Sequence, residues 1–359
     1  MGLEMGLDIE SLLKPLSDAE PCGEDLRYDR RALEVLRLAE GKEGSVMGDQ
    51  TIPGEEPDWR ELKDGCLEVL ARGRDLRVSV VLSLALLKLE GFAGFAAGLG
   101  LVRGLLEKHW AGVHPRLDPD DGNDPMERGN ILATYNAPLG TFGEKLRFAE
   151  RIMAAPLCDS RQWGKYGLRD VRVASGQLDA SAMGAGQAVP DVKVIDRAFE
   201  DTDAATLAAL EKATGDALGH AVGIDKAFEA AAGADKSPEM SGFLTLLKDA
   251  HGQVKRQMER LAGGGGAAAE AGTGGAGVAA AAGGVGLRLD GELGSREQVS
   301  QLFEKIYRYY ERVEPSSPVP LLMKSCEKLV GKRFSEIVKV LTPDAVALLE
   351  RLAADEPVG

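Results

Sequence analysis

One segment constrains this chain more than any other. Positions 263 to 286 read GGGGAAAEAGTGGAGVAAAAGGVG, in which 20 of 24 residues are glycine or alanine. This composition offers too little apolar area to offset the entropy of ordering it, so we predict a flexible tether with an r.m.s. span of about 25–30 Å. The chain therefore divides into a long body before the tether and a small domain after it.

Composition favours helices throughout. Aromatic residues make up only 5% of the 359 positions, and alanine, leucine and glycine dominate, a mixture poor in the residues that strands prefer. We predict an all-α protein. The net charge of −14 argues against partners that are bound by neutralising phosphates, so nucleic acid and anionic membrane surfaces are disfavoured.

Local signals predict a helical bundle in the body. Asp58 and Asp75 are suitable N-caps for two helices, and Gly91 is placed to end the second. A third helix is predicted from about Phe92 to Trp110. The apolar stretch around these helices is interrupted by charges, and neither uncharged piece approaches the roughly 20 residues of a membrane span. We expect buried core helices without direct membrane insertion.

The predicted organisation has four parts. They are a helical N-terminal domain (1–185), a middle helical segment (186–262), a flexible Gly/Ala linker (263–294) and a small helical C-terminal domain (295–359). The first boundary is the softer one, because Gly, Ser and Ala only gradually replace the apolar periodicity between Ser175 and Val189. Within the first domain, Gly41 to Pro57 is predicted as a long surface loop.

The middle segment contains a heptad seam. Apolar residues recur at steps of four and three from Met240 to Leu261, with His251 on the same face. An ordinary amphipathic helix packed against the preceding helix explains the pattern, and a docking site for a partner helix is the alternative. A lone histidine on such a face is more often a core residue than a ligand, so we assign it no chemistry.

We find no constellation for catalysis, metal or cofactor binding. The four cysteines lie far apart and are predicted to be reduced thiols in a cytoplasmic protein without an export signal. The run Asp118 to Asp124 resembles a calcium loop, but its glycine and its final carboxylate are out of register. We interpret this acidic run as turns and helix caps, and we predict no enzyme activity.

Two ordered sets of motifs resemble a known family. The N-terminal motifs resemble the ImpA N-terminal domain of the TssA proteins of bacterial type VI secretion systems. They centre on Pro21, Gly23, Asp25, Leu26, Asp58, Trp59, Asp75, Leu76, Trp110, Pro115, Asp121 and Gly122. The tail, from Glu314 to Pro320 and on to Ile337, resembles the C-terminal domain of the same family.

This resemblance implies a structural role in assembly. It implies C-terminal domains that associate into a homo-oligomeric ring, which contacts the baseplate, the Hcp tube and the TssB/TssC sheath to prime or coordinate tail assembly. We predict that ring contacts involve the apolar faces and proline turn of the C-terminal domain: Val299, Phe303, Ile306, Tyr310, Pro315, Pro318, Leu322 and Leu329. The alternative is a monomeric helical adaptor that binds a partner helix through the Met240–Leu261 seam.

Overall fold

The computed structural model describes residues 8–42, 45–47, 50–52, 54–138, 145–183 and 188–262. The predicted linker and C-terminal domain, with all eight predicted ring-contact residues, lie outside the described residues. Ten α-helices occupy the described part: α1 (Ile9–Leu13), α2 (Arg30–Glu40), α3 (Trp59–Leu70), α4 (Leu76–His109), α5 (Met126–Ala133), α6 (Phe148–Ala154), α7 (Leu168–Ala174), α8 (Val192–Asp201), α9 (Ala204–Ala232) and α10 (Ser241–Ala262).

The predicted all-α fold class is confirmed, with one small addition. Strands β1 (Ser45–Met47) and β2 (Gln50–Ile52) pair antiparallel, with Val46 opposite Thr51. This hairpin lies within the stretch that the sequence predicted as a surface loop. Short 3-10 turns at Pro119–Asp121, Thr134–Asn136, Ala180–Met183 and Ala234–Lys236 connect some of the helices.

Predicted helix caps occur where the sequence placed them. The Asp58 carboxylate accepts hydrogen bonds from the backbone N–H groups of Arg60 and Glu61, both at 3.0 Å. The Asp75 carboxylate likewise accepts from the backbone N–H of Arg77 at 2.8 Å. Each carboxylate satisfies N–H groups that have no partner inside the helix, which fixes the starts of α3 and α4.

Helix α4 is a hairpin of two helices that meet at Gly91. Gly91 has φ 66° and ψ −150°, which no helical residue adopts, so the predicted stop is confirmed. The two halves lie so close together that a Cβ added to Gly98 would come within 2.5 Å of the Ser83 Cα. This close approach places the most apolar part of the chain at the centre of the bundle.

By length and composition alone, α4 is the one helix among the described residues that could cross a membrane. Of its most apolar 18-residue stretch, 67% is buried within the protein. The central helix of a bundle meets these criteria of length and composition because it is apolar nearly all round.

The middle segment packs into the same core as the N-terminal helices. Helix α9 lies along α4, and α10 lies along α9. Phe243 of α10 stacks on Tyr135 with ring centroids 4.9 Å apart, and it meets Phe95 of α4 edge-on. All of these helices belong to one compact unit, so the boundary predicted near residue 185 lies inside that unit.

The heptad seam faces inward. Met240, Leu247 and Val254 are buried, and Leu244, Met258 and Leu261 pack partly buried against the same core. The partner-helix hypothesis for this seam is therefore wrong, because α9 and the rest of the bundle already cover it. His251 lies at the edge of this contact, with its Nδ1 3.1 Å from the Thr214 hydroxyl.

Candidate functional site

Most of the motif residues meet where three chain segments cross. These are residues 21–26 after α1, residues 72–76 between α3 and α4, and residues 110–115 after α4. The backbone N–H of Arg74 donates to the Cys22 carbonyl at 2.7 Å, and its own carbonyl accepts from the N–H of His114 at 2.8 Å. Arg74 thus joins all three segments through its backbone. We call this crossing of three segments the motif junction.

Gly23 is required at the tightest point of the motif junction. Its φ is 69°, and a Cβ at this position would come within 2.2 Å of the Arg72 carbonyl oxygen. Gly23 pairs with Gly73 in an isolated antiparallel bridge. A side chain would therefore meet both an unfavourable backbone conformation and a backbone clash.

Arg128 fastens the end of α4 to α5. Its side chain is only 1% exposed, and it donates hydrogen bonds to the carbonyl oxygens of Trp110 at 2.6 Å, Val113 at 2.7 Å and Pro115 at 2.8 Å. The guanidinium also lies 4.8 Å from the centre of the Trp110 ring. Burial lowers the pKa of Arg128 to about 10, so the group is charged at neutral pH.

Trp110 links this arrangement to the rest of the bundle. Its ring meets that of Phe228, in α9, edge-on with centroids 5.3 Å apart. Arg128 lies close to the same ring. The motif tryptophan is therefore an anchor that joins the motif junction to the middle segment.

A second buried arginine closes the other side of the junction. Arg74 is 3% exposed, and its guanidinium donates to the carbonyls of Leu70 at 2.5 Å and Lys14 at 2.9 Å. Sequence reasoning did not select Arg74 or Arg128 as site residues. Arg74 stands within the family motif beside Asp75, and Arg128 follows Asp124 by four residues, but neither position distinguishes a buried arginine from an exposed one.

The histidines of this region are engaged in structure. His114 is fully buried, and its Nε2 lies 3.2 Å from the Gly23 carbonyl, so Nε2 carries the hydrogen. Its Nδ1 lies 3.9 Å from the Asp25 carboxylate. His109 Nε2 lies 2.8 Å from the Leu13 carbonyl. Among the described residues, no group of three or more His, Cys, Asp or Glu side chains could hold a metal ion.

The acidic run Asp118 to Asp124 forms turns and caps, as predicted. The Asp118 carboxylate accepts from the N–H of Asp120 at 2.9 Å, and the Asp124 carboxylate accepts from the N–H of Met126 at 3.1 Å. Gly122 has a left-handed conformation, which closes the turn. The carboxylates of this loop thus point to backbone N–H groups or to the outside of the protein.

A cleft of about 470 Å³ opens beside the motif junction. Pro115 and Leu117 contribute apolar surface to it, and Arg27 lines it while pairing with Glu127 at 2.8 Å. The cleft also contains Asp121. This surface places motif residues next to solvent and is the candidate functional site for contact with another protein.

Asp58 and Trp59 lie apart from the motif junction. Helix α3 is about 18 Å long, and these two residues start it while the junction follows its end. The Arg151 guanidinium lies 4.8 Å from the centre of the Trp59 ring, and the Trp59 Nε1 donates to Glu56 at 3.1 Å. Partial burial opposes ionisation of Glu56, but the hydrogen bond and charge of Lys88, the charge of Arg151 and the hydrogen bond from Trp59 together outweigh it, so the pKa of that carboxyl lies below its ordinary value.

The thiols of the described residues are free and buried. These are Cys22, Cys66 and Cys158. Burial raises the pKa of each thiol, to about 11 for Cys158. A thiol with a raised pKa is a poor nucleophile at neutral pH, so these side chains act as small apolar groups of the core.

The chain is similar to components of the type VI secretion system. A family model described as ImpA, N-terminal, type VI secretion system, matches residues 13–137, which include the whole motif junction. The type VI secretion system component TssA1 of Pseudomonas aeruginosa is 37% identical over 357 residues, spanning 98% of this chain and 99% of that protein. The chain belongs to the TssA family. The family resemblance predicted from the motifs is thus confirmed.

A solved structure supports the fold. It is the N-terminal domain, including the conserved ImpA_N region, of the TssA component from Burkholderia cenocepacia. The likeness has a TM-score of 0.56 at 23% sequence identity and covers 72% of this TssA-family chain and 96% of the other. At that identity the likeness shows a shared fold.

Proposed function

We propose that this TssA-family chain is a cytoplasmic, non-enzymatic assembly factor of a type VI secretion system. Its C-terminal domain, residues 295–359, associates into a homo-oligomeric ring. Through that ring and its body, the protein contacts the baseplate, the Hcp tube and the TssB/TssC sheath, and so primes or coordinates tail assembly. The observation that carries this proposal is the similarity to a type VI secretion component over nearly the whole chain, C-terminal residues included.

The use of charged groups in the body supports a structural role. Arg74 and Arg128 direct their guanidinium groups at backbone carbonyls, where they fix the crossing of three segments. Catalytic sites instead aim such groups at a place where charge develops on a substrate. The motif residues therefore build a rigid frame, which is what a protein needs to present a defined surface to partners.

A ring of tethered bodies suits recruitment by many weak contacts. Linked binding events gain effective concentration without any new interface, and the gain is greatest when the linker matches the distance between sites. Each subunit would then contribute one body to a shared array.

The mass of the full chain tests the proposed assembly. Light scattering after size exclusion is applied to the full chain and to a chain truncated after Ala262, whose residues form a compact unit with its own core. We expect a large closed oligomer for the full chain and a monomer or dimer for the truncated chain. Equal small masses would refute the ring.

One substitution tests the predicted ring contact. Phe303→Asp places a charge on the apolar face of the predicted helix, and we expect the oligomer to dissociate. Gln301→Asp is the matched control, because residue 301 lies about 160° away around an ideal helix. If Phe303→Asp leaves the oligomer mass unchanged, the assignment of this face to the ring is wrong.

A further inference from the structure

A further cleft, of about 370 Å³, opens on the motif junction between residues 20–22 and the turn that follows α4. Cys22 lies at its floor, since this residue lines the cleft but is only 1% exposed. Pro21, Ala111 and Gly112 supply small, uncharged surface around the thiol. We call this the Cys22 cleft. It is distinct from the cleft of about 470 Å³ described above.

The charged side chains of the Cys22 cleft are mostly cations. Lys108 and Arg116 line it, and Glu20 is the one carboxylate among the described residues of its wall. Arg116 pairs with Glu20, and Lys108 lies 3.8 Å from Glu10, which is outside the cleft. These four side chains are between 46% and 79% exposed. Pairs as exposed as these are worth little, so a carboxylate from another protein can replace them at small cost.

Two buried arginines add positive charge behind the floor of the cleft. Burial raises the pKa of the Cys22 thiol, and the positive charges of Arg116, Arg74 and Arg128 oppose this rise. Glu20 is the carboxylate that acts in the opposite sense to these three arginines. The floor of the cleft is therefore a position of positive potential, although the whole chain carries a net charge of −14.

Arg74 and Arg128 carry charge that no carboxylate neutralises directly. Within the described part of the chain, every hydrogen bond of these two guanidinium groups goes to a backbone carbonyl, and the buried Nε of Arg74 has no partner. Burial lowers the pKa of both groups. The charge of Glu127 opposes this shift at Arg128, but Glu127 already pairs with Arg27. An anion in the cleft would compensate this buried charge.

The end of α4 does not reverse the charge of the cleft. A helix C-terminus carries partial negative charge through carbonyls that have no partner within the helix. Here the His109 carbonyl accepts from the backbone N–H groups of Gly112 at 3.0 Å and Val113 at 2.8 Å. The Trp110 carbonyl accepts from the Arg128 guanidinium at 2.6 Å. These donors satisfy the end of the helix, and the positive potential of the cleft remains.

This chemistry fits an acidic segment of another protein. Guanidinium and ammonium groups form their strongest hydrogen bonds with ionised acceptors such as carboxylates. A nucleic acid needs a series of cations along its backbone, whereas the cleft presents two at its rim. The negative charge of the rest of the chain repels an acidic partner elsewhere, so a single positive cleft gives that partner one position and one orientation.

We propose that the Cys22 cleft binds an acidic segment of a partner protein, one carboxylate of which pairs with Lys108 and Arg116 above the Cys22 thiol. This inference rests on the proposed role in assembly, because it assigns one contact surface of the body to one kind of partner. The surface belongs to the motif junction, whose buried arginines thus serve both the frame and the contact.

A model peptide tests the charge preference of the cleft on the full chain. The probe is a fluorescent peptide of six glutamates with blocked termini, and a peptide of six glutamines is its control. We expect fluorescence anisotropy to show binding of the glutamate peptide alone, weakening as salt is added. A photoreactive group on the peptide, followed by mass spectrometry, should give adducts within residues 20–22 or 108–116.

Charge variants of opposite sign should change the affinity in opposite directions. Lys108→Gln/Arg116→Gln removes both rim cations and should weaken binding at least about tenfold, whereas Glu20→Gln removes the competing carboxylate and should strengthen it about threefold. The matched control is Lys212→Gln/Arg260→Gln, which removes the same two charges and should change the affinity less than about twofold. Arg74 and Arg128 stay unchanged, because they hold the motif junction.

The control residues lie away from the cleft. From residue 212 to Phe228, α9 rises about 24 Å, and the Phe228 ring contacts Trp110, which lies next to the cleft. Arg260 follows by nine residues His251, which contacts Thr214 in the first half of α9. Both control side chains already pair with carboxylates, as the rim cations do.

Four results would overturn the proposal. They are no binding of the glutamate peptide at about 1 mM, adducts only outside the two expected ranges, equal weakening by the control variant, and displacement by inorganic phosphate at the concentration at which the peptide itself competes. The last would identify a site for small anions. Light scattering on the same samples separates this inference from the ring: a ring without peptide binding overturns the cleft alone, and peptide binding without a ring overturns the ring alone.

Discussion

Replacing Arg128 is the sharpest test of the motif junction as a rigid frame. Arg128→Met keeps much of the apolar stem but removes the donors to the carbonyls of Trp110, Val113 and Pro115. An unsatisfied buried carbonyl costs about 1–3 kcal/mol, so three of them would cost about 3–9 kcal/mol. Removal of a desolvated charge offsets part of this loss.

The expected net loss is therefore about 3–5 kcal/mol in the free energy of unfolding. Urea unfolding of the chain truncated after Ala262 measures this loss without a contribution from assembly, provided that the m value stays unchanged. Arg128→Lys should fall between the wild type and Arg128→Met, because an ammonium cannot reproduce three planar donors or the contact with the Trp110 ring. Arg116→Met is the control, since its exposed pair with Glu20 is worth less than about 1 kcal/mol.

Two results would refute this reasoning. A loss below about 1 kcal/mol for Arg128→Met would mean that water or a local shift satisfies the carbonyls. A fully stable Arg128→Lys would mean that charge alone matters at this position. In either case the motif junction would have to be held by its backbone bridges.

Further predictions concern other parts of the body. Gly23→Ala should destabilise the body by more than about 2 kcal/mol in urea unfolding, because the positive φ and the backbone clash disfavour a side chain there. Gly219 is an exposed helical position with open space around it, so the control Gly219→Ala should be neutral or stabilising by up to about 1 kcal/mol. Burial raises the pKa of Tyr135, so its contribution to stability is complete below about pH 10 and is lost as the pH rises further. The free energy of unfolding should therefore fall more steeply between pH 9 and pH 11 for the wild type than for Tyr135→Phe. Cys66 and Cys158 should react with a thiol reagent only as fast as the body unfolds, and rapid labelling of the native protein would contradict their burial.

Local signals accounted for most of the secondary structure. Asp58, Asp75 and Gly91 were read correctly because a cap or a positive φ depends on the few residues around it. The motif resemblance gave the family, and the structure brings most of those motif residues to one crossing. The pairing of Gly23 with Gly73 could not be predicted, because it depends on how distant segments meet.

The omission of two buried arginines and the alternative left open for the heptad seam have physical causes. Arginine is usually exposed, so nothing in the sequence marked Arg74 and Arg128 as buried donors to carbonyls. The Met240–Leu261 seam was correctly interpreted as the apolar face of a helix packed against the preceding helix, but periodicity alone could not exclude a partner helix as the covering neighbour. Here α9 and the core cover it, and no partner helix is needed.

The position of Arg128 has a consequence for how the surface of this body can change. Arg128 lies just after the acidic loop, and it holds carbonyls just before that loop, so one side chain closes both ends of the intervening stretch. Doubling the length of such a closed stretch costs only about 0.6 kcal/mol of extra closure entropy. The loop can therefore be lengthened, shortened or rewritten while its two attachment points stay in place. A family built on this frame could exchange binding partners through one short insert, and the same insert is a ready position for grafting a chosen recognition sequence.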